Sequence, residues 1–228
     1  MKEIVTLVRN VPLFQHLRDE ELAMISSLFM ERKYKKNAII FFEGDSGDDL
    51  FLIKSGTIKI YRIDNTKQIT LALFRAGDFF GEMSLVQRGF TRSANAETLE
   101  PSVLYTLNRA TFYECMEKAP SLCMKLLEVT MNRLRKANEQ IHDLTFLDVR
   151  TRILKTVLQL SLDHGELKQG QMQISVKLTH QEIANMVGTV RESVTKVLQE
   201  LQDEGVISVD NKMITVIDMP TLKKKVPQ

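Results

Sequence analysis

The sequence has few of the features that mark secreted, membrane or metal-binding proteins. Only two of its 228 residues are cysteine, Cys115 and Cys123. Two cysteines cannot build a disulfide framework, and this pair lacks the C-x-x-C spacing of zinc or redox sites, so we expect both thiols to pack in the interior. No stretch approaches the ~20 apolar residues that span a bilayer, and the start of the chain lacks a secretory pattern. These absences predict a soluble, cytoplasmic protein with no membrane partner.

An excess of charge of one sign is also lacking. The chain has 31 Lys and Arg residues and 29 Asp and Glu residues, so its net charge is +2. A net charge this small does not by itself favour binding to nucleic acid. No nucleophile and base are paired in the sequence, and its histidines are too scattered for a metal or haem site. We therefore expect no catalysis, no metal and no required cofactor. The four histidines are His16, His142, His164 and His180.

Short strands are predicted between Tyr34 and Leu107. Apolar runs such as AIIFFE, DLFLIKSG and ITLALFRAG alternate there with polar residues. Glycines separate the runs at places that suit tight turns with positive φ. These glycines are Gly44, Gly47, Gly56 and Gly77. The pattern is typical of an antiparallel sandwich or jelly roll. A short helical segment is predicted before it, with Leu17, Leu22, Ile25 and Leu28 at helical spacing.

One long helix is predicted after Pro120. Its sequence, SLCMKLLEVTMNRLRKANEQIHDL, contains neither proline nor glycine. Apolar and small residues recur along it at alternating steps of four and three, which is the spacing of a coiled-coil seam. This stripe either packs on the helix's own domain or pairs with the stripe of a second copy in a symmetric dimer. The stripe consists of Cys123, Leu127, Thr130, Leu134, Ala137, Ile141 and Leu144.

A helix-turn-helix is predicted from HQEIANMVGTVRESVTKVLQEL. Two helices that cross steeply need a small residue at their contact, a glycine at the turn and branched apolar residues beyond it. The residues that meet these needs are Ala184, Gly188, Val194 and Val197. Thr179 is placed to cap the first helix, and Glu182 completes a capping box.

The second helix of this motif presents polar residues opposite its apolar face. Arginine can bind guanine, glutamate can accept from the amino group of cytosine, and lysine can reach guanine or a phosphate in a major groove. A lone charged residue on a helix is more commonly solvated, but these residues lie together at the start of the helix, where base contacts are made. They are Arg191, Glu192, Thr195 and Lys196.

A small hairpin is predicted after this helix. The sequence GVISVDNKMITVID carries a polar turn at Asp210 and Asn211, and helices followed by a hairpin indicate a winged helix. The upstream segment DHGELKQG is predicted to be a polar loop.

The stretch FGEMSLVQRGFTRSA combines groups suited to an anion. Gly81 to Ser84 can form a turn with unpaired backbone N–H groups, Arg92 offers a charged fork for phosphate oxygens, and Ser93 adds a hydroxyl. Glu82 would repel a phosphate and suits a sugar hydroxyl instead. The stretch therefore predicts either a pocket for a cyclic nucleotide or a surface salt bridge that steadies a loop.

These segments together resemble one protein family. FGEMSL followed by TRSA resembles the phosphate-binding cassette of cyclic-nucleotide-binding domains. FLDVRTRI and LTHQEIANMVGTVRESVTKVL are similar to segments of the CRP/FNR family of bacterial transcription regulators, in particular its cyclic AMP receptor type. The resemblance implies an α+β chain with an N-terminal double-stranded β-helix (jelly roll), a long dimerisation helix and a C-terminal winged helix-turn-helix. It also implies a homodimer that binds palindromic double-stranded DNA and RNA polymerase.

The resemblance assigns roles along the chain. Residues 1–118 are expected to sense the effector, 119–147 to form the dimerisation helix and a hinge near its end, and 148–228 to bind DNA. The candidate effector is cAMP or another cyclic nucleotide, with its ribose on Glu82 and its phosphate on Arg92 and Ser93. The candidate effector-binding residues are Gly81, Glu82, Met83, Ser84, Arg92, Ser93 and Asn138. The candidate DNA-binding residues are Thr179, His180, Gln181, Arg191, Glu192, Ser193, Thr195 and Lys196. The candidate dimer-interface residues are Leu127, Leu134, Ala137, Ile141 and Leu144.

The central helix departs from the family where the base is expected. The cyclic AMP receptor type has two adjacent hydroxyl residues at positions where this chain has Ala137 and Asn138. Asn138 can donate and accept hydrogen bonds, whereas Ala137 cannot. A second hypothesis is therefore an effector-independent regulator of the same family with a relic pocket. A third hypothesis is a cyclic-nucleotide-binding regulatory subunit of an enzyme. Such a subunit would not need a helix-turn-helix or a wing, so these elements argue against it.

Overall fold

The structure is a computed structural model, and it describes residues 2–86 and 89–226. The chain divides into two compact units, one of residues 2–62 and 71–137 and the other of residues 63–70 and 138–226. No helix within the described ranges is both long enough and apolar enough to cross a bilayer.

Residues 30–108 contain two four-stranded sheets. Their orders are β1-β8-β3-β6 and β2-β7-β4-β5, and the described strand pairs are antiparallel. The strands are β1 Met30–Tyr34, β2 Ile39–Phe41, β3 Asp49–Ser55, β4 Ile58–Asp64, β5 Lys67–Phe74, β6 Phe79–Phe80, β7 Asn95–Thr98 and β8 Ser102–Asn108. This arrangement confirms the predicted jelly-roll class.

Strand β3 shows how the layers form, because its side chains alternate between two apolar clusters. Phe51 and Ile53 face the core between the sheets, where the Phe51 ring stacks on Phe80 with centroids 5.0 Å apart. Leu50 and Leu52 face the opposite way, into a second cluster built with the N-terminal helices and the start of the central helix. The first unit therefore consists of a helical layer on a two-sheet sandwich.

The helical layer begins with short pieces rather than one segment. They are α1 Lys2–Asn10, a 3₁₀ turn at Pro12–Phe14 and α2 Asp19–Leu28. Leu22 and Ile25 are buried in the second cluster, as their spacing predicts, whereas Leu28 is exposed.

The remaining helices begin with one short helix inside the stretch FGEMSLVQRGFTRSA and continue to the C-terminal part of the chain. They are α3 Met83–Val86, α4 Arg109–Lys118, α5 Ser121–Phe146, α6 Val149–Asp163, α7 His180–Val187, α8 Arg191–Asp203 and α9 Met219–Lys225. The long helix, the helix-turn-helix pair α7 and α8 and the wing confirm the predicted α+β organisation.

Most of the apolar stripe of α5 is exposed in the described chain. Leu122 and Leu126 pack on the first unit, while Leu127, Leu134 and Ile141 are exposed by 50%, 53% and 63%. Two residues outside the predicted stripe, Met124 and Met131, are also exposed on this helix and widen the apolar surface.

The two cysteines differ in their surroundings. Cys115 is buried as predicted, and burial raises the pKa of its thiol to about 11. Cys123 is exposed, so the expectation that it packs in the interior is wrong. The reason is its place on the open face of α5 rather than on the face that carries Leu122 and Leu126.

The second unit contains one antiparallel sheet of order β11-β12-β10-β9. Its strands are β9 Gly165–Lys168, β10 Gln171–Ile174, β11 Ile207–Asp210 and β12 Met213–Val216. The segment predicted as a polar loop is therefore a hairpin. Gln169 and Gly170, with φ of 50° and 82°, form a two-residue turn that matches the twist of the strands. The wing turn is also one residue later than predicted, at Asn211 and Lys212.

Candidate functional site

The candidate effector site is built around the turn that follows β6. Gly81 has a φ of +88°, which favours glycine, and it leads into Glu82 and helix α3. The segment that carries Arg92 lies beside the β2–β3 loop. There the N–H of Gly44 donates to the carbonyl of Arg92, and the N–H of Arg92 donates to the carbonyl of Asp45, both at 2.8 Å.

Arg92 lies inside this site and is only 5% exposed. Its Nη1 donates to the carbonyl of Gly81 and to Ser84 Oγ, and its Nη2 donates to the carbonyl of Asp49, all at 2.9 Å. Its guanidinium carbon lies 4.3 Å from the centroid of the Phe41 ring. Burial lowers the pKa of Arg92. Since its described acceptors are neutral oxygens, its positive charge is not bound to a carboxylate.

Glu82 is paired with the central helix instead of with Arg92. Arg133 Nη1 donates to Glu82 Oε1 at 2.7 Å, and Arg133 Nη2 donates to the carbonyl of Phe79. The Arg133 guanidinium also lies 4.7 Å from the ring centroids of Phe74 and Phe79. Since Glu82 is 7% exposed and bound to Arg133, the alternative of a surface salt bridge between Glu82 and Arg92 is wrong.

Two polar atoms of the site are buried without a hydrogen-bond partner among the described residues. They are Arg92 Nε and Glu82 Oε2. Leaving such a group unpaired is unfavourable by about 1–3 kcal/mol, and by more for a charged group. Because Nε donates and Oε2 accepts, the site suits a molecule with an acceptor oxygen and a hydroxyl donor.

Gly47 keeps the space beside Arg92 open. A Cβ at this position would lie 2.4 Å from both Arg92 Nε and Ser84 Oγ, which is closer than side chains approach. Arg109 holds this edge of the site, because its Nη2 donates to the carbonyls of Gly47 (3.2 Å) and Ser84 (2.6 Å). The predicted positive φ is found at Gly44, but not at Gly47. A close approach, rather than a tight turn, explains the glycine at position 47.

The other candidate effector residues lie outside this hydrogen-bonded cluster. Met83 is 63% exposed, and the exposed Ser93 donates its hydroxyl to Met83 Sδ at 3.6 Å. Asn138 is exposed and belongs to the second unit. Sequence reasoning missed Arg133. The sequence does contain an indication of its role. Arg133 follows Leu126 by seven residues, so both lie on the face of α5 that packs on the first unit.

The predicted helix-turn-helix is present with the expected contacts. Ala184 is fully buried between α7 and the neighbouring helices, and Gly188 ends α7 with a φ of +69°. Val194 is buried on α8. Thr179 Oγ1 accepts from the N–H of Glu182, and the Glu182 carboxylate accepts from the N–H of Thr179, so the capping box is confirmed.

The polar face of α8 contains the predicted recognition residues. Arg191, Glu192 and Lys196 are exposed, and no described residue forms an ion pair with them. They line one open groove together with Thr195, Gln199, Glu200 and Asp203. Three charged side chains at the start of α8 are therefore free to contact a ligand.

The remaining candidate DNA residues have partners of their own. Gln181 donates to the side-chain oxygen of Asn185 at 2.9 Å, and His180 Nδ1 lies 2.8 Å from Thr195 Oγ1. Ser193 is partly buried. These residues lie on the same two helices, α7 and α8. Their side chains are hydrogen-bonded or partly buried, whereas Arg191, Glu192 and Lys196 are exposed.

The end of α5 is bound to the helices that follow it. Lys155 Nζ lies 2.6 Å from the carboxylate of Asp143. Arg152 donates to the carbonyl of Leu147 at 2.9 Å and to the carbonyl of Val187, the last residue of α7, at 3.1 Å. Lys155 therefore links the end of α5 to α6, and Arg152 links the connection between these helices to the end of α7.

Replacing Gly188 by alanine is expected to destabilise the second unit more than replacing Gly205. Both glycines have φ near +70°, but a Cβ at Gly188 would lie 3.0 Å from Leu144 Cδ2, whereas one at Gly205 meets nothing within 4 Å. Both variants place an alanine in the left-handed region of the backbone, so this cost is common to them. The free energies of unfolding of the two variants should therefore differ by about 1 kcal/mol, and this difference measures the effect of the contact with Leu144. Urea unfolding of both variants, alone and with Leu144→Ala, measures it. A difference that survives Leu144→Ala would contradict this explanation.

Comparison with known proteins identifies both units. The family model for the cyclic nucleotide-binding domain matches residues 31–119, and the model for the Crp-like helix-turn-helix domain matches residues 151–225. The cyclic AMP receptor protein of Thermus thermophilus is 33% identical over 218 residues, which are 95% of this chain and 97% of that protein. A CRP-like cAMP-activated global transcriptional regulator of Mycobacterium tuberculosis is 29% identical over 96% of this chain and 98% of its own length.

Solved structures agree with these matches. The c-di-GMP responsive global regulator CLP of Xanthomonas campestris is 25% identical and superposes with a TM-score of 0.75, covering 87% of this chain and 99% of its own. The catabolite activator protein of Thermus thermophilus is 32% identical with a TM-score of 0.54, covering 94% and 97%. These relatives are regulators rather than enzymes. The chain belongs to the CRP/FNR family and is a DNA-binding transcription regulator with a cyclic nucleotide-binding domain.

Proposed function

We propose that the protein is a homodimeric transcription regulator controlled by a cyclic nucleotide, with cAMP as the first candidate. The observation that carries this proposal is the pair of buried, unpartnered atoms Arg92 Nε and Glu82 Oε2. A cyclic phosphate supplies acceptor oxygens, and the adjacent ribose supplies a hydroxyl donor. One ligand of this class can satisfy both atoms.

The phosphate side of the proposed pocket rests on Arg92 and Gly47. Among the described residues, the atoms that accept hydrogen bonds from Arg92 are neutral oxygens, although the charges of four carboxylates act on it from nearby: Asp45, Asp48, Asp49 and Glu82. A phosphate would gain a charge-assisted hydrogen bond at Nε. The missing side chain of Gly47 leaves an approach to that atom. An anionic ligand is favoured for this reason over a neutral one.

The ribose side rests on Glu82 and Arg133. Arg133 binds one oxygen of the Glu82 carboxylate and leaves the other oxygen available to a hydroxyl. The aromatic rings of Phe74 and Phe79 hold Arg133 in place. Arg133 is thus proposed as a positioning residue that keeps the Glu82 carboxylate oriented.

Base recognition is the less complete part of the pocket. Ala137 offers no hydrogen-bonding side chain, so selection of a base would rest on Asn138. Two relatives are named for cAMP, and a structural relative is described as responsive to c-di-GMP. The presence of Ala137 favours the second candidate function, a regulator that needs no effector, and both nucleotides therefore belong in the test.

The homodimer is supported by the open stripe of α5. A helix that leaves Leu127, Leu134 and Ile141 half exposed or more would bury them by pairing with a second copy. A symmetric pair also presents two recognition helices to a palindrome, with half-sites about 34 Å apart. Effector binding would change DNA affinity only through different affinities for two arrangements of the dimer.

Selection of DNA sites from a random pool tests the proposal. The protein is expected to enrich a palindrome in the presence of cAMP and to enrich it less without nucleotide, with cGMP and c-di-GMP as comparison ligands. Enrichment that is the same with and without every nucleotide would contradict effector control. Equal binding to the selected palindrome and to a scrambled sequence would contradict sequence-specific binding.

Glu192→Ala is expected to relax the selected sequence at one base pair of each half-site. Glutamate accepts from the amino group of cytosine, and its loss should reduce discrimination there by about 1–3 kcal/mol. Glu166→Ala, on the exposed strand β9, removes the same charge away from α8 and serves as the control. An unchanged site for Glu192→Ala would exclude Glu192 from base recognition.

A further inference from the structure

Met83 and Ser93 form a contact beside the candidate effector site. Met83 follows Glu82 and begins helix α3, and Ser93 follows Arg92. The Ser93 hydroxyl lies 3.6 Å from Met83 Sδ and donates a hydrogen bond to it, since a thioether sulfur has no proton to give. The contact therefore joins the neighbours of the two residues on which the proposed ribose and phosphate positions rest.

The backbone next to Ser93 is fixed, so its hydroxyl can change partners only by rotating. The carbonyl and N–H of Arg92 are hydrogen-bonded to Gly44 and Asp45. A hydroxyl has a single proton, so a full hydrogen bond from Ser93 to a phosphate oxygen has to replace the one to Met83. A thioether is a weak acceptor, and the exchange therefore costs little while Met83 is in its ordinary form.

The side chain of Met83 is open to small solutes, because 63% of it is exposed. Exposed methionines are converted by peroxides to the sulfoxide, which is polar and which methionine sulfoxide reductases return to the thioether. Three other methionines of the described residues are exposed, and they lie outside the candidate effector residues. They are Met30 on β1 and Met124 and Met131 on α5. Met83 is thus the exposed methionine at which oxidation would change the effector site.

We propose that Met83 is an oxidation site that controls effector binding, with hydrogen peroxide as the reactant. The sulfur lone pair forms a bond to one peroxide oxygen, the O–O bond breaks, and the proton of the transferred oxygen passes to the departing oxygen, which leaves as water. The sulfur is oxidised by two electrons and the peroxide is reduced by two. This inference rests on the proposed function, since it concerns the position assigned there to the cyclic phosphate.

The sulfoxide changes what the Ser93 hydroxyl binds. The S–O bond is strongly polar, so its oxygen accepts a hydrogen bond better than the thioether sulfur does and holds the hydroxyl more firmly. Because this oxygen is bonded to Met83 Sδ, it also brings the negative end of a dipole next to Ser93. A phosphate then loses one hydrogen bond and is repelled, while Arg92 keeps its charge. Oxidation should therefore weaken effector binding without abolishing it.

Oxidation of Met83 is expected to weaken cAMP binding by about tenfold, because one hydrogen bond to a charged group is lost. Titration calorimetry on reduced and on peroxide-treated protein measures the change, and mass spectrometry gives the fraction of Met83 converted to the sulfoxide. Treatment with methionine sulfoxide reductases should restore the affinity of the reduced protein. Unchanged affinity in protein whose Met83 is fully oxidised would overturn the inference.

Two variants separate Met83 from the other methionines. Met83→Leu removes the sulfur and keeps an apolar side chain of similar size, so peroxide should leave its affinity for cAMP unchanged. Met30→Leu, at a methionine of similar exposure on β1, is the matched control and should lose affinity on oxidation as the wild type does. Met83→Gln places an amide oxygen close to where the sulfoxide oxygen would be, and it should bind cAMP about tenfold more weakly without any oxidant. A loss of affinity that persists in Met83→Leu would assign the effect to another residue and overturn the inference.

Ser93→Ala tests whether the effect passes through the hydroxyl. The reduced variant should bind cAMP more weakly than the wild type, and oxidation should then change its affinity by less than about twofold, since the two changes remove the same hydrogen bond. A full tenfold effect of oxidation in Ser93→Ala would contradict the role of the hydroxyl. Absence of cAMP binding by the reduced wild type would instead contradict the proposed effector, and the inference with it.

Discussion

Replacing Arg92 by glutamine is expected to weaken cAMP binding by at least about 100-fold. The variant loses the positive charge and the Nε donor, which has no hydrogen-bond partner among the residues that the structure describes. Hydrogen bonds to charged groups contribute about 1.5–3 kcal/mol each, so the loss of one bond and of the charge's wider attraction reaches that magnitude. Titration calorimetry with cAMP measures it. Arg75→Gln, at an exposed arginine of the same unit, should bind as the wild type does.

A second variant tests whether weaker binding by Arg92→Gln comes from a disturbed site rather than from the lost charge. Arg92 also donates to Gly81, Ser84 and Asp49, so its removal can disturb the site itself. Gly47→Ala keeps the charge of Arg92, but its Cβ would clash with Nε and with Ser84 Oγ, so these side chains have to shift and the approach to Nε is blocked. It should abolish the heat of cAMP binding in a protein whose thermal unfolding shows a folded first unit. Wild-type affinity in Arg92→Gln would remove the effector pocket from this position.

Leu134→Glu is expected to convert the proposed homodimer into a monomer and to weaken binding to a palindrome by about 100-fold or more. A parallel seam would bring two carboxylates together in an apolar contact, and burying unpaired charges is strongly unfavourable. Because Leu134 is 53% exposed in the single chain, the fold of the subunit should survive. Sedimentation equilibrium and anisotropy on the selected palindrome measure the two effects. Leu162→Glu, at a 54% exposed leucine on α6, is the matched control.

Oxidation of Cys123 tests the proposed dimer of α5 helices by an independent measurement. In a parallel, in-register pair each stripe residue lies beside its own copy, so mild oxidation should link two chains through Cys123. Cys115 should not react, because it is buried and its pKa is raised to about 11. Cross-linking should disappear in Cys123→Ser and fall sharply in Leu134→Glu. A dimer that persists in Leu134→Glu would place the interface on another surface.

Much of the fold follows from local patterns in the sequence. Alternation along β3 predicts which side chains face each core, and Ala184, Gly188 and Val194 predict the crossing of α7 and α8. The hairpin at Gln169 and Gly170 was missed because its strands are short and polar; the antiparallel pairing of β9 and β10 and the positive φ of both turn residues show it.

The candidate sites were less accessible to sequence reasoning. Glu82 and Arg92 were found, but their pairing was left open, since the choice depends on Arg133, 51 residues away from Glu82. A cation on the packed face of an amphipathic helix was the only signal for it. The contact between His180 and Thr195 likewise joins two helices, and no spacing along one helix encodes it.

The contacts at the end of α5 determine where a chimera of two such regulators should be joined. Asp143, Leu144 and Leu147 precede or begin the connection to α6, yet they contact Lys155, Gly188 and Arg152 beyond it. A chimera that grafts this DNA-binding unit onto another sensor at residue 148 would cut all three contacts. Joining the two proteins near residue 138 keeps them, so the transferable module includes the last two turns of the long helix.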